Sequence, residues 1–180
     1  MIICGVDGAI STTGICVYNE INNDLITVRK ISTNYGPIKN ETDDNRIIYV
    51  VDEIISVCKE FNVEMIILED QFVGFKTSKK TAMQLSRLRG ALMYSCNINN
   101  IKIKYMNTNT VAKIVKVVSG LSFSKEDDKK LCVYNSIKEI FKGNSIIENL
   151  GEYNNKNNKN KNSDMFDALA LIVAYKHDCE

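Results

Sequence analysis

Four carboxylates stand where a metal-dependent hydrolase would need them. Asp7 closes the apolar run Ile2-Ile3-Cys4-Gly5-Val6, and Glu69 closes a second one, Met65-Ile66-Ile67-Leu68. Asp164 and Asp167 open the last apolar stretch three residues apart, on one side of a helical turn. Acids gathered without a counter-charge repel one another and hold protons. A hard divalent cation resolves that repulsion, and Mg²⁺ takes carboxylate oxygens together with water and phosphate oxygens. Two such ions roughly 3.5–4 Å apart suit in-line hydrolysis of a phosphodiester. Taken singly, each acid has a plainer use. Asp7-Gly8 is a hairpin turn signal, Glu69-Asp70 opens a solvated loop, and Asp164 and Asp167 complement a helix dipole. Those uses leave the shared address of all four unexplained.

That address depends on the elements. Residues 2–9 and 13–18 read as a buried strand and its hairpin partner, and 25–31 alternates as a third strand. Residues 32–43 hold the lone proline, Pro37, and form a loop. Helical spacing runs over 44–61 with Asp43 or Asp44 as cap, followed by a short apolar run at 65–68, the mark of a buried parallel strand. After a loop over 73–77, Thr77 or Ser78 caps a helix to about 97. A half-wet strand over 101–106 comes next, near a sheet edge. Thr108 or Asn109 caps a helix closed by Ser119-Gly120, and Ser124 with Asp127 opens another to about 141. The Asn/Lys-rich residues 149–162 cannot bury apolar area and read as a flexible loop before a last helix over 164–177 capped by Ser163. The order β-β-β-α-β-α-β-α predicts one α/β domain over 1–180, a mixed five-stranded sheet flanked by helices in a ribonuclease-H-like layout. Strand ends and a helix start can then converge, since sites gather at the carboxyl ends of strands.

Composition sets the frame. Of 180 residues, 44% are hydrophobic and 25% charged, an ordinary globular balance. No stretch is apolar for long enough to span a bilayer, and no signal-peptide pattern opens the chain. Six scattered cysteines without a C-x-x-C pair point to reduced, buried thiols and an intracellular protein. The net charge of +1 hides an asymmetry: residues 1–73 carry 5 Lys/Arg against 12 acids, whereas 74–143 carry 14 against 4. Such a basic middle is the footprint of a polyanion-binding face, or simply lysines on wet helix faces.

Four stretches taken together resemble the RuvC family of Holliday-junction resolvases. They are Gly5-Val6-Asp7-Gly8-Ala9 with Thr13-Gly14, Ile67-Leu68-Glu69-Asp70-Gln71-Phe72, Leu88-Arg89-Gly90-Ala91-Leu92, and Ser163-Asp164-Met165-Phe166-Asp167-Ala168-Leu169-Ala170. The resemblance implies an RNase-H-like fold and a cytoplasmic homodimer on branched DNA. It implies paired nicking of four-way junctions with two Mg²⁺ per site (Mn²⁺ substituting), held by Asp7, Glu69, Asp164 and Asp167. By the same resemblance Phe72, or Phe75 in a longer loop, stacks on an unpaired base. Lys113, Lys116, Lys125 and Lys129 correspond to basic residues near the scissile phosphate, and the helix around 82–96 supplies the dimer contact. Lys76, Lys79, Lys80 and Arg89 complete the DNA-contact candidates of the basic middle. Two departures stand out: Gly8-Ala9 replaces a proline and a glycine, and the Asn/Lys-rich insert is long. The Lys/Asn/Ile-heavy usage suggests an AT-rich bacterial, phage or mobile-element genome.

Two other readings compete. Asp7 with Thr12-Thr13-Gly14 resembles the first phosphate loop of an actin-like or sugar-kinase-like ATPase. A non-catalytic RNase-H-like DNA-binding module would keep the fold without needing all four acids.

Overall fold

Side-chain alternation along β1 (Ile2–Asp7) divides the molecule in two. The structure is a computed structural model and describes residues 1–70, 78–124, 128–151 and 162–178. In it Ile3 faces one apolar cluster while Cys4 and Val6 face another. β2 (Thr12–Asn19) and β3 (Asp24–Ser32) extend β1 as an antiparallel meander. β4 (Met65–Asp70) runs parallel to β1, and β5 (Lys102–Asn107) parallel to β4, giving the order β3-β2-β1-β4-β5. The predicted five-stranded mixed sheet is the observed one, and β5 is the expected edge. The five cysteines among the described residues are free and buried.

Helices α1 (Asp43–Glu60) and α2 (Lys79–Ile98) cover the face that takes Cys4, Val6, Ile66 and Leu68. The other face, with Ile3, Cys16 and Ile67, is covered by α3 (Thr108–Ser119), α4 (Lys129–Ile140), the short α5 (Ser145–Glu148) and α6 (Ser163–Asp178). The loop after β3 contains a 3-10 turn, Pro37–Asn40. Four helix starts differ from the sequence expectation: α6 includes Ser163, the residue read as its cap, and the Asn162 carbonyl before it accepts from the Met165 and Phe166 N–H groups. Thr42, not Asp43 or Asp44, caps α1 by accepting from the Asn45 N–H at 3.2 Å, which leaves Asp43 to accept from Gln84 of α2 at 2.7 Å. Asn107, one residue earlier than expected, caps α3, and Asp128, rather than Ser124, caps α4. Ser78 caps α2 and Gly120 closes α3 in the left-handed conformation, as read. The expected loop over 73–77, and 152–161 of the Asn/Lys-rich stretch, lie outside the described residues.

α6 is the central helix. Ten of its sixteen residues are buried, because the sheet lies under it and α3 and α4 flank it. A helix enclosed on that many sides is apolar nearly all round. It also lies unusually close to the sheet. A side chain at Gly5 would collide with the Ala168 carbonyl oxygen, and one at Gly14 with the Asp164 carbonyl oxygen. These two glycines form the bed on which the helix rests.

Candidate active site

The same alternation selects the acids. On β1, residues 3, 5 and 7 point toward α6. On β4, Ile67 does so, and Glu69 follows it by two. The ladder pairs Val6 with Leu68, which sets Asp7 beside Glu69 at the strand ends. Asp70 points the opposite way, toward α2. Above the pair, α6 contributes Asp167. Asp7, Glu69 and Asp167 thus line one cavity of about 410 Å³, together with Thr108 and Val111 of α3 and Lys129 and Lys130 of α4. Asp164 lies one turn earlier, over Gly14, where its carboxylate stands 3.7 Å from the Lys30 ammonium on β3. It does not line the cavity.

The electrostatics are those of a crowded acid cluster. Burial, then the negative charges of Asp167, Glu69 and Asp164, push the Asp7 carboxyl well above its ordinary range. Burial likewise raises Asp167, against the pull of Lys130, whose Nζ stands 3.5 Å away. The Asp167 charge in turn holds the Lys130 ammonium above its usual value.

Lys130 escaped the sequence reading, which stopped at its neighbour Lys129. A signal was present: lysines in the first turn of a helix oppose its dipole. A local rule broken without local compensation often marks a functional position. Thr108 and Lys30 left no comparable trace.

The other candidates are dispersed. Lys129 borders the cavity and donates to Asn109 at 2.8 Å. Lys113 is exposed on α3, and the Lys116 ammonium sits 5.3 Å over the Phe123 ring. Lys79 and Lys80 are exposed at the start of α2. Arg89 turns inward to the end of β4, donating to the Glu69 carbonyl oxygen at 2.7 Å. Phe72, Phe75, Lys76 and Lys125 lie outside the described residues. The stretch that resembles a phosphate loop is occupied by its own hairpin. Thr13 is fully buried, and its hydroxyl donates to the Ala9 carbonyl at 2.8 Å while accepting from the Ala9 N–H.

As a donor set, half-buried carboxylates converging on one cavity fit a hard divalent cation. Among the described residues, no three such side chains are already gathered as ligands of one ion. Asp167 and Asp164 instead face ammonium groups, Lys130 and Lys30, whose charge a cation would replace.

Residues 3–150 match the family described as Crossover junction endodeoxyribonuclease RuvC, a match that ends before α6. The Rickettsia akari protein of that name is 28% identical over 155 residues, covering 84% of this chain and 90% of the relative. In fold, the chain resembles T. thermophilus RuvC in complex with Holliday junction substrate, with TM-score 0.69 and 16% identity over 99% of this chain and 95% of that one. It also resembles the Fowlpox virus resolvase in complex with substrate Holliday junction DNA, with TM-score 0.58 and 18% identity over 99% of both.

Proposed function

The chain belongs to the RuvC family of crossover junction endodeoxyribonucleases, and on that footing we propose that it resolves four-way DNA junctions with Asp7, Glu69, Asp164 and Asp167 as its metal-binding acids. The observation that carries this reading is the meeting of Asp7, Glu69 and Asp167, from three distant segments, on one cavity bordered by lysines. Family membership takes the place of the ATPase and the non-catalytic alternatives.

Mg²⁺ held by these acids would acidify an attacking water and neutralise charge on the phosphate. The residues of the chain do the rest. Asp7 and Glu69, fixed on strand ends, and Asp167, fixed on a helix seated in glycine, bring their backbones to one cavity, so that side-chain rotation is what remains to gather the oxygens. Lys129 and Lys130 sit in the first turn of α4, where the helix dipole adds to their charge. A scissile phosphate entering the cavity meets both. Lys130, now paired with Asp167 at 3.5 Å, is within the cavity to stabilise the extra negative charge of the phosphoryl transition state, and Asp167 would be one of the residues to hold the cation. Cleavage leaves a 5′-phosphate and a 3′-hydroxyl.

A junction has opposed strands related by two-fold symmetry, so a two-fold dimer carries one site to each. The outer face of α2 offers the contact. Met83, Tyr94 and Ile98 are 58%, 69% and 59% exposed, and their spacing puts them on one stripe.

The test is cleavage of four-way, three-way and linear DNA by the purified protein, with Mg²⁺ and with EDTA. Paired nicks on the four-way substrate, absent in EDTA, are expected. Equal cutting of linear duplex, or cutting that survives chelation, would overturn the proposal.

A further inference from the structure

Glu69 and Asp70 are consecutive, so they leave β4 on opposite faces of the sheet. Glu69 goes to the acid cavity, and Asp70 goes to the α2 side. On one side β5 still pairs with the strand here, Glu69 opposite Met106 and Asp70 opposite Asn107, and a second hold comes from α2. The Arg89 guanidinium donates from Nη2 to the Glu69 carbonyl oxygen at 2.7 Å. Its Nη1 lies 3.5 Å from an Asp70 carboxylate oxygen. Its plane sits 5.0 Å over the ring of Tyr105, on the neighbouring strand β5. The β1 ladder on β4 ends at the Val6–Leu68 pair, one residue short of Glu69. Arg89 therefore supplies an anchor just where that ladder stops.

We infer that Arg89 is a positioning residue for Glu69, not a DNA contact. It fixes the backbone from which the Glu69 carboxylate enters the cavity and so sets the affinity of the acid cluster for its divalent cation. The inference rests on the reading of Glu69 as a metal-facing acid. A guanidinium suits the task because its planar fork serves the carbonyl and the carboxylate at once while stacking on a ring. A lysine at this position brings a point charge without the planar fork or the ring stacking. The side chain is one-third exposed, 33%, and its charge already faces Asp70, so little of it is presented to a phosphate.

The decisive comparison uses the full chain with Arg89→Gln, Arg89→Lys and Glu69→Gln in parallel. Three quantities are measured: Mn²⁺ binding from loss of the free-ion EPR signal, four-way junction binding in EDTA, and single-turnover cleavage as Mg²⁺ is raised. Outer residues that orient ligands typically govern about 10–100-fold of metal affinity. Arg89→Gln is expected to weaken Mn²⁺ binding by about 10-fold, to bind the junction in EDTA as the wild type does, and to regain cleavage at high Mg²⁺. Arg89→Lys falls between, and it carries the comparison if Arg89→Gln does not fold. Wild-type Mn²⁺ affinity in the Arg89 variants, or a loss confined to junction binding in EDTA, overturns the inference. If Glu69→Gln itself keeps wild-type Mn²⁺ affinity, the reading of Glu69 fails first and the inference falls with it.

Discussion

α6 and α2 are both long helices on the same sheet, yet they are built for opposite purposes. α6 buries ten of sixteen residues and rests on Gly5 and Gly14 with no room for a side chain beneath it. α2 buries three of twenty, Leu88, Leu92 and Cys96, and leaves Met83, Tyr94 and Ile98 in water. Its Gly90 has open space around it. The difference separates two kinds of constraint. A helix that carries acids to a cavity must be immovable, so its environment is specified on every side. A helix with the exposed stripe proposed as a dimer contact needs only to be held along one edge.

Substitutions can break or sharpen this contrast. On α6, Asp167→Asn should reduce junction cleavage about 1,000-fold while junction binding in EDTA is retained, because one acid of the cluster is lost with little change of shape. Gel assays of both steps check it, and unaltered cleavage would remove Asp167 from the site. Under α6, Gly14→Ala should destabilise by about 3 kcal/mol or more, since backbone rather than a flexible side chain blocks the new methyl group. A urea melt reads this directly. On α2, the face proposed as the dimer contact, Tyr94→Ala should leave the fold intact and weaken dimerisation by about 2 kcal/mol, the scale of an aromatic anchor. Sedimentation would show the shift, and an unchanged dimer would place the contact elsewhere.

Asp7→Asn supplies a pH-dependent test. The folded-state pKa of Asp7 is raised, so folding favours its protonated form, and the stability this gives is lost as pH rises through that value. In EDTA at pH 8 the variant should melt about 2–4 °C above wild type, the shift that ~1 kcal/mol gives at this size. The gap should close toward acidic pH, where Asp7 is protonated in both states. Mg²⁺ should reverse the order, because only the wild type keeps the full acid set. Last, Gly90→Ala should stabilise by about 0.5–1 kcal/mol, as expected for an exposed helix interior. A loss there would mean that the outer face of α2 is more tightly specified than its surroundings indicate.

Much of the fold was legible because it is written in period and punctuation. The strand-terminal acids could be read from apolar runs that stop at a carboxylate. The β4 run at 65–68 declared itself parallel by being apolar throughout, and Gly120 declared the end of α3. Caps were less legible. Thr42, Asn107 and Asp128 each had a neighbour of the same chemistry, and only the hydrogen bond tells them apart. The separation of Asp164 from the cavity was not legible at all. Its spacing from Asp167 puts both on one side of a turn, but Gly14 and Lys30, which hold it, come from other strands. Arg89 shows the same limit: as a residue in a basic stretch it suggests DNA, and only the β4 carbonyl in front of it shows where it is engaged.

The enclosed position of α6 has a consequence for biosynthesis. This helix follows every other described element in the chain, yet the sheet beneath it and the α3 and α4 helices that flank it are made earlier. A ribosome-bound chain that has emerged only through α5 has an open interior and two of the four acids. It can neither close its hydrophobic centre nor assemble a cutting site. On the reading of these four acids as the metal-binding set, a cutting site therefore has to wait for the same helix that fills the core.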